Sequence, residues 1–97
     1  MSAFMLATVK IKNPKKFQEY LGKVQKLSAN YGAQLLAKGK TVRLITEGEC
    51  EHDITIVVKF SDINSIDSLF GSEEYRDLIP LREEGATIVM TSHQMLE

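Results

Sequence analysis

Arg82 is the residue whose type and position most directly indicate chemistry in this sequence. It lies in the stretch SEEYRDLIPLREEG (72–85), where Tyr75, Leu78 and Arg82 share one helical stripe at i, i+3 and i+7. Its planar guanidinium could hold a carboxylate, phenolate or phosphate through paired hydrogen bonds. It could instead extend to solvent, or pair with an acid such as Glu47 and brace a dimer. We expect the bracing role, with anion binding as the alternative.

Two tyrosines lie on the apolar stripes of the predicted helices, Tyr20 on the first and Tyr75 on the second. Each hydroxyl could contact a molecule held between the helices and a sheet, so the candidate ligand-binding residues are Arg82, Tyr20 and Tyr75. Tyrosines in such positions more commonly belong to the core and satisfy their hydroxyl with a hydrogen bond. That structural role is the one we expect.

Glu47 and His93 are the candidates for a general base. Glu47 precedes Gly48 at the predicted end of a strand, where it could accept a proton or pair with a basic residue. His93 is in phase with Val89 and Thr91 along the last predicted strand, so it is expected to face a partner subunit. We expect pairing and hydrogen bonding from these two side chains. The candidate catalytic residues are therefore Arg82, Tyr20, Glu47 and His93.

Metal and cofactor sites have no signature in this sequence. The two histidines, His52 and His93, are far apart and lack metal-ligand spacing. Cys50 is the single cysteine, so neither an internal disulfide nor a cysteine zinc site is expected. The sequence shows no phosphate-binding loop, Ser-His-Asp order or paired-carboxylate motif. We therefore predict no metal and no cofactor.

Capping residues and apolar spacing predict two helical segments. The first begins at Asn13-Pro14, an N-cap followed by proline at the first helical position, and ends near Gly32. The second begins at Ser61-Asp62. Both segments carry an apolar stripe at helical spacing, so each is predicted to pack one face against the sheet.

The second helical segment is interrupted twice. Gly71 breaks it and Ser72 restarts it with a new cap. Pro80 cannot donate a backbone hydrogen bond, so the helix must kink or restart there. A final turn ending at Gly85 would then leave Arg82 near the sheet rather than in bulk water.

Four segments are predicted to form strands: 3–11, 33–47, 54–60 and 86–95. The second of these could be one extended strand or two short ones, broken by a bulge near Gly39. The resulting order, β-α-β-β-α-β, is that of a ferredoxin-like sandwich. The fold class is therefore α+β, with an antiparallel four-stranded sheet covered on one face by two helices.

Both faces of the predicted sheet are apolar. In the first strand Phe4 and Leu6 point to one side, whereas Met5 and Ala7 point to the other. Two helices on one face leave the other uncovered, and an exposed apolar face of this kind indicates an interface. We predict a homodimer in which two sheets pack face to face.

The charge distribution is uneven although the net charge is only −1. Residues 1–46 carry nine Lys or Arg against one acid, and residues 47–97 carry three against twelve. A basic half can indicate nucleic-acid binding, but the acidic half in the same small domain would repel phosphates, and no RNA-binding motif or finger accompanies the lysines. We predict complementary charges within or between subunits, and no nucleic-acid partner.

The length and hydropathy of the chain indicate one soluble domain. Its 97 residues suit a single fold spanning residues 1–97. No apolar run approaches the roughly 20 residues of a membrane span, and no signal sequence begins the chain. With its lone cysteine, the protein is expected in the cytoplasm, with no membrane partner.

An ordered set of short motifs resembles the small bacterial proteins called domain of unknown function 1330. The resemblance covers nearly the whole chain, although no single motif is specific. At position 33 this sequence has an alanine, whereas many members of the family have a second glycine. The motifs that carry the resemblance are Asn13-Pro14, Tyr20, Tyr31-Gly32, Leu36-Ala37-Lys38-Gly39, Glu47-Gly48, Phe60, Ser72-Glu73-Glu74-Tyr75 and Pro80-Leu81-Arg82.

This resemblance implies a dimeric α+β barrel built from two ferredoxin-like protomers. Proteins sharing that barrel include cofactor-independent monooxygenases acting on quinol-like aromatics, haem-degrading enzymes, lactone isomerases and stress-induced binding proteins. The family itself has no settled activity, and fold alone does not assign function. The sequence has no Trp and no clear histidine ligand pattern, which argues against haem degradation.

Two classes of function remain. The first is a homodimer that binds a small aromatic or carboxylate-bearing molecule between helices and sheet, or acts structurally. The alternative is a cofactor-independent oxygenase or isomerase using Tyr20, Arg82 and either Glu47 or His93. We expect the first because no catalytic constellation is present in the sequence.

Overall fold

The computed structural model describes residues 2–96 as a four-stranded antiparallel sheet with helices packed on one face. The strands lie in the order β2-β3-β1-β4, so the central strands β3 and β1 are flanked by two edge strands. Among the described residues, no helix is long and apolar enough to cross a membrane. In chain order the elements are β1 (Ala3–Ile11), α1 (Pro14–Ala29), β2 (Gln34–Lys40), β3 (Ile54–Phe60), α2 (Ile63–Phe70), α3 (Glu73–Arg76), α4 (Ile79–Gly85) and β4 (Ala86–Gln94).

Helix α1 forms as its capping residues predict. The side chain of Asn13 accepts a hydrogen bond from the backbone N–H of Lys16 at 3.2 Å, and Pro14 occupies the first turn. Phe17 and Tyr20 are buried against the sheet, while the lysines of the helix face solvent. The turn after the helix contains Gly32 at φ +77°, a left-handed conformation that favours glycine.

The second helical segment is divided into three short helices, as its sequence breaks predict. Asp62 caps α2 by accepting from the Ser65 N–H at 2.8 Å. Ser72 caps α3 by accepting from the Tyr75 N–H at 3.2 Å. Helix α3 ends at Arg76, because Pro80 has no N–H to donate to the Arg76 carbonyl. Pro80 instead lies in the first turn of α4, where the missing N–H costs nothing.

The helices cover the sheet face formed by the odd-numbered residues of β1. Ala3, Ala7 and Val9 on that face are 4% exposed or less. Small side chains in β1 allow the helices to approach the sheet closely, and larger residues of β3 and the helices fill the space beside them. The core includes Phe17, Tyr20, Phe60, Ile66, Leu69, Tyr75 and Ala86.

The opposite face of the sheet carries no helix. Phe4 and Leu6 lie there, and the strand register places Leu6 beside Val57 on β3 and Thr91 on β4. Val89 on the same face is 60% exposed. Apolar side chains therefore remain on the uncovered face, as the sequence predicts, together with polar neighbours such as Lys59 and Thr91.

The extent of β2 is the main point at which the sequence prediction was wrong. The strand ends at Lys40 rather than continuing to Glu47, and its register shifts between Leu35 and Ala37 rather than at Gly39. Strand β3 begins only at Ile54, opposite Lys40, so β2 has no strand partner beyond Lys40. Residues 41–53 follow as the connection between the two strands. They form a loop, closed at its base by a hydrogen bond from the Thr41 N–H to the Asp53 carbonyl at 2.9 Å.

The end of α4 is packed directly against the start of α1. The Gly85 carbonyl accepts hydrogen bonds from the N–H groups of Lys12 and Asn13 at 2.9 and 3.0 Å. A Cβ at Gly85 would lie 2.7 Å from the Phe17 nitrogen and 2.9 Å from its Cα. Only glycine fits at this contact, which fixes α4, and with it Arg82, relative to α1.

Gly85→Ala is expected to lower the free energy of unfolding by about 1–3 kcal/mol, because the added methyl group must push two backbones apart. Gly22→Ala is the matched control, since a Cβ at Gly22 on the exposed surface of α1 meets nothing within 4 Å. That substitution should stabilise the protein by about 0.5–1 kcal/mol through helix propensity. Urea unfolding measures both changes, and equal midpoints for the two variants would contradict the close packing.

Candidate functional site

Three of the predicted site residues meet at the junction of the helices. The hydroxyl groups of Tyr20 on α1 and Tyr75 on α3 are 2.8 Å apart. Arg82 on α4 donates a hydrogen bond from Nη1 to the Tyr75 hydroxyl at 3.0 Å. We call Tyr20, Tyr75 and Arg82 the phenol–guanidinium cluster. Its members come from three helices, so the cluster depends on the breaks at Gly71 and Pro80 that reorient the second helical segment.

The phenols of the cluster are buried. Tyr20 and Tyr75 are 3% and 2% exposed. Burial, assisted by the hydrogen bond to Tyr75, raises the pKa of Tyr20 well above its ordinary value, although the charge of Arg82 partly opposes the shift. Tyr20 therefore stays protonated at neutral pH and acts as a neutral hydrogen-bonding group.

Arg82 is a charged side chain at the boundary between this core and solvent. Burial alone would lower the pKa of Arg82, but hydrogen bonds to Glu83 and Tyr75 outweigh that effect and raise it. Glu83 Oε1 accepts from Arg82 Nη2 at 2.8 Å, and this contact holds the pKa of Glu83 below its usual value. The guanidinium side chain is 20% exposed. It is thus permanently positive, held by a phenol on the inside and a carboxylate on the outside.

The acid suggested as a partner of Arg82, Glu47, does not meet it within the chain. Glu47 lies in the exposed loop 41–53 rather than at the end of a strand. The neighbouring Glu83 takes the pairing role instead. Glu47 is not placed for this pairing because β2 ends at Lys40, which leaves Glu47 outside the sheet.

His93 lies on the other face of the sheet from the cluster. Its ring stacks on Phe4 with centroids 4.7 Å apart and an interplanar angle of 15°. Its Nε2 is 2.7 Å from the Thr91 hydroxyl. The four candidate catalytic residues are therefore divided: Tyr20 and Arg82 share one site, whereas Glu47 and His93 lie elsewhere.

A cavity of about 380 Å³ opens beside Arg82, between the short helices and β4. Its volume falls within the roughly 300–1,000 Å³ usual for small-molecule sites. Phe70 forms part of the wall and contacts Tyr75 edge-on, with centroids 4.8 Å apart. We call this space the arginine cavity; its walls include Asp67, Phe70, Tyr75, Ile79, Arg82 and Ser92.

Phe70, Asp67 and Ser92 were not among the sequence candidates. Phe70 lies on the apolar stripe of α2, and that position indicates only that it packs in the core. Asp67 and Ser92 are exposed residues of ordinary type. Their place beside Arg82 arises from the packing of α2 against β4, which no local pattern encodes.

A second cavity of about 240 Å³ lies between α1 and the sheet. Tyr20 lines it, together with apolar residues of α1, β1 and β3. We call this space the apolar cavity; its walls include Ala7, Tyr20, Leu21, Val24, Ile56 and Val58.

Residues 2–96 contain no group of three or more His, Cys, Asp or Glu side chains placed to hold a metal ion. Cys50 Sγ lies 3.4 Å from His52 Nδ1. Both residues belong to loop 41–53, outside the cluster and its cavities.

Residues 2–93 match the profile of the family described as Domain of unknown function (DUF1330). The chain belongs to this family. The matched residues include all three members of the phenol–guanidinium cluster, Tyr20, Tyr75 and Arg82. No significant match was found among curated proteins.

Solved structures share the fold of this DUF1330 protein at low identity. A protein of unknown function from Rhodopseudomonas palustris is 12% identical with a TM-score of 0.82, covering 99% of this chain and 83% of that one. A dimeric ferredoxin-like protein of unknown function from Jannaschia sp. CCS1 is 10% identical with a TM-score of 0.73, covering 98% and 100%. SnoaB, a cofactor-independent oxygenase from Streptomyces nogalater, is 7% identical with a TM-score of 0.71, covering 99% and 94%. At these identities the likeness establishes a ferredoxin-like fold and nothing about activity.

Tyr75→Phe is expected to cost about 1–3 kcal/mol of stability, because it leaves both the buried Tyr20 hydroxyl and one Arg82 N–H without their partner. Tyr20→Phe should cost less, since the Tyr75 hydroxyl would still accept from Arg82. Tyr31→Phe, at a half-buried tyrosine outside the cluster, is the control and should change stability by no more than about 0.5 kcal/mol. Urea unfolding ranks the three variants, and a larger loss for Tyr20→Phe than for Tyr75→Phe would contradict the arrangement.

Proposed function

We propose that this DUF1330 protein binds a small carboxylate- or phenolate-bearing molecule in the arginine cavity, as a homodimer. The observation that supports this most directly is Arg82 itself: a guanidinium, 20% exposed, at the wall of a cavity of about 380 Å³. Apolar side chains such as Phe70 and Ile79 form other parts of the wall. A positive group beside apolar walls suits an aromatic or alicyclic acid.

The geometry of Arg82 supports ligand exchange at its outer side. Nη1 is occupied by the buried Tyr75 hydroxyl, which fixes the guanidinium plane. Nη2 is occupied by Glu83, whose side chain is 60% exposed. An exposed ion pair contributes little stability, so a ligand carboxylate can replace that of Glu83 at small cost. Glu83 does not line the arginine cavity, so it competes with a ligand carboxylate for the guanidinium from the outer side of Arg82.

Benzoate and 4-hydroxybenzoate are expected to bind the wild-type protein, and Arg82→Met should weaken their binding by about tenfold to a hundredfold through the loss of a charge-assisted hydrogen bond. Glu83→Gln should strengthen binding several-fold, because it removes the competing carboxylate. Isothermal titration calorimetry measures the dissociation constants.

Arg76→Met is the matched control for this measurement. Arg76 is exposed on α3 and its Nη2 lies 3.4 Å from the Gly71 carbonyl, outside the arginine cavity. Arg76→Met should therefore bind these acids with wild-type affinity. Equal binding by Arg82→Met and Arg76→Met would overturn the proposed site.

The alternative is catalysis at the same place by a cofactor-independent oxygenase or isomerase. It is supported by the phenol–guanidinium cluster beside a cavity, because Arg82 could stabilise the anion of an electron-rich phenol or an enol. The similarity to SnoaB supports the fold only. Oxygen consumption with a bound quinol, absent in Arg82→Met, would favour this alternative over binding alone.

The homodimer part of the proposal rests on the open sheet face. Phe4, Leu6 and Val57 form an apolar surface that the helices do not cover. A protein with the same fold is a dimeric ferredoxin-like protein. Packing of two such faces would remove this surface from water, which is the main favourable term in subunit association.

Leu6→Lys is expected to shift the protein from dimer to monomer, because it places a charge on the apolar surface. Light scattering coupled to gel filtration should give about twice the 10.9 kDa chain mass for the wild type and the chain mass for the variant. Gln18→Lys, which adds the same charge on the exposed side of α1, should remain dimeric. A wild-type protein that is monomeric at all accessible concentrations would contradict the prediction.

A further inference from the structure

The arginine cavity and the apolar cavity share one wall. Met5, Phe70 and Met90 line both spaces. The hydrogen bond between the tyrosines crosses the same boundary, since Tyr20 lines the apolar cavity and Tyr75 lines the arginine cavity. The two spaces are thus neighbouring compartments on the helix-covered side of the sheet.

The two compartments differ in chemistry. The arginine cavity presents the guanidinium of Arg82 and several hydroxyl groups, with the exposed carboxylate of Asp67 also in its wall. The apolar cavity is walled mainly by aliphatic side chains, and Leu21, Val24, Ile56 and Val58 are only partly buried although they lie on the inner faces of their elements. An apolar cavity of roughly 150 Å³ can hold benzene, so a space of about 240 Å³ can accept a larger ring or a medium-length alkyl chain.

We propose that the two cavities together form one binding site for an amphiphilic carboxylic acid. The carboxylate binds Arg82, and an alkyl or alicyclic tail passes between Met5, Phe70 and Met90 into the apolar cavity. This assignment rests on the proposed function, and it adds the class of ligand and the location of its tail.

The composition of the shared wall allows such a passage. Met5 and Met90 have unbranched, adaptable side chains that can move aside for a tail at low cost. Phe70 is the last residue of α2, immediately before the break at Gly71, and it is half-buried. Phe70 also contacts Tyr75 edge-on and packs against the core, so the movement that admits a tail is assigned to Met5 and Met90.

A cation at the other end of the apolar cavity offers a competing position for the carboxylate. Lys38 on β2 lines that cavity but is exposed. Arg82 is held in place by Tyr75 and its side chain is 20% exposed, so it binds an anion with less screening and less loss of side-chain freedom. The carboxylate is therefore assigned to Arg82.

The test is a series of linear acids, from butanoate through hexanoate to octanoate, titrated calorimetrically at submicellar concentrations. In the wild type, affinity should rise by up to about fourfold for each methylene that enters the apolar cavity. Ala7→Leu should reduce this gain, because Ala7 is a buried residue of the cavity wall and a leucine would occupy the space of the tail. Ala29→Leu, the same substitution at an exposed position of α1, should keep the wild-type gain.

Each outcome of this series has a distinct meaning. Affinity that is independent of chain length, with benzoate still dependent on Arg82, overturns the shared site and leaves the proposed function standing. A chain-length gain that survives Arg82→Met but is lost in Lys38→Met places the carboxylate at Lys38 and also overturns it. Absence of binding by every acid, benzoate included, overturns the proposed function and the inference together. If Ala7→Leu does not fold, Val24→Phe fills the same cavity from α1 and must reduce the gain in its place.

Discussion

The arrangement of the helices depends on the hydrogen bonds made by the Tyr75 hydroxyl group. The hydroxyl is buried, so it must find hydrogen-bond partners inside the protein or pay the cost of desolvation. Its partners come from α1, through Tyr20, and from α4, through Arg82. These hydrogen bonds connect α1 to the interrupted second helical segment. Pro80 at the start of α4 sets the direction of that helix, which brings Arg82 to the hydroxyl.

The close contact between Gly85 and Phe17 acts on the same junction. Backbone packed on backbone leaves no freedom for α4 to slide along α1. The position of Arg82 is therefore set by packing on one side and by hydrogen bonds on the other. Because Glu83 neutralises the outer side of the guanidinium, the charge can remain near the core without a buried acid. The same pairing makes Glu83 an intramolecular competitor for any anion that approaches.

The two faces of the sheet carry different features. Its helix-covered face holds the phenol–guanidinium cluster and both cavities, while its open face presents Phe4, Leu6 and His93. Small residues in β1, such as Ala3 and Ala7, bring the helices near the sheet at one place and leave space at another. The association surface and the ligand site that we propose can thus coexist in a chain of 97 residues, since they lie on opposite sides of the same strands.

Local patterns in the sequence are enough to predict the element order, the caps and the helix breaks, because these depend on residues only a few positions apart. Asn13, Ser72 and Pro80 act locally, and the alternation in β1 defines two faces whatever covers them. The packing of the elements brings together the hydroxyls of Tyr20 and Tyr75, which are 55 positions apart. It also decided that Glu47 would lie in a loop, since a strand continues only where another strand pairs with it. The cavities were beyond sequence reasoning for the same reason: they are spaces left between elements, and the residues that line them carry no shared local signal.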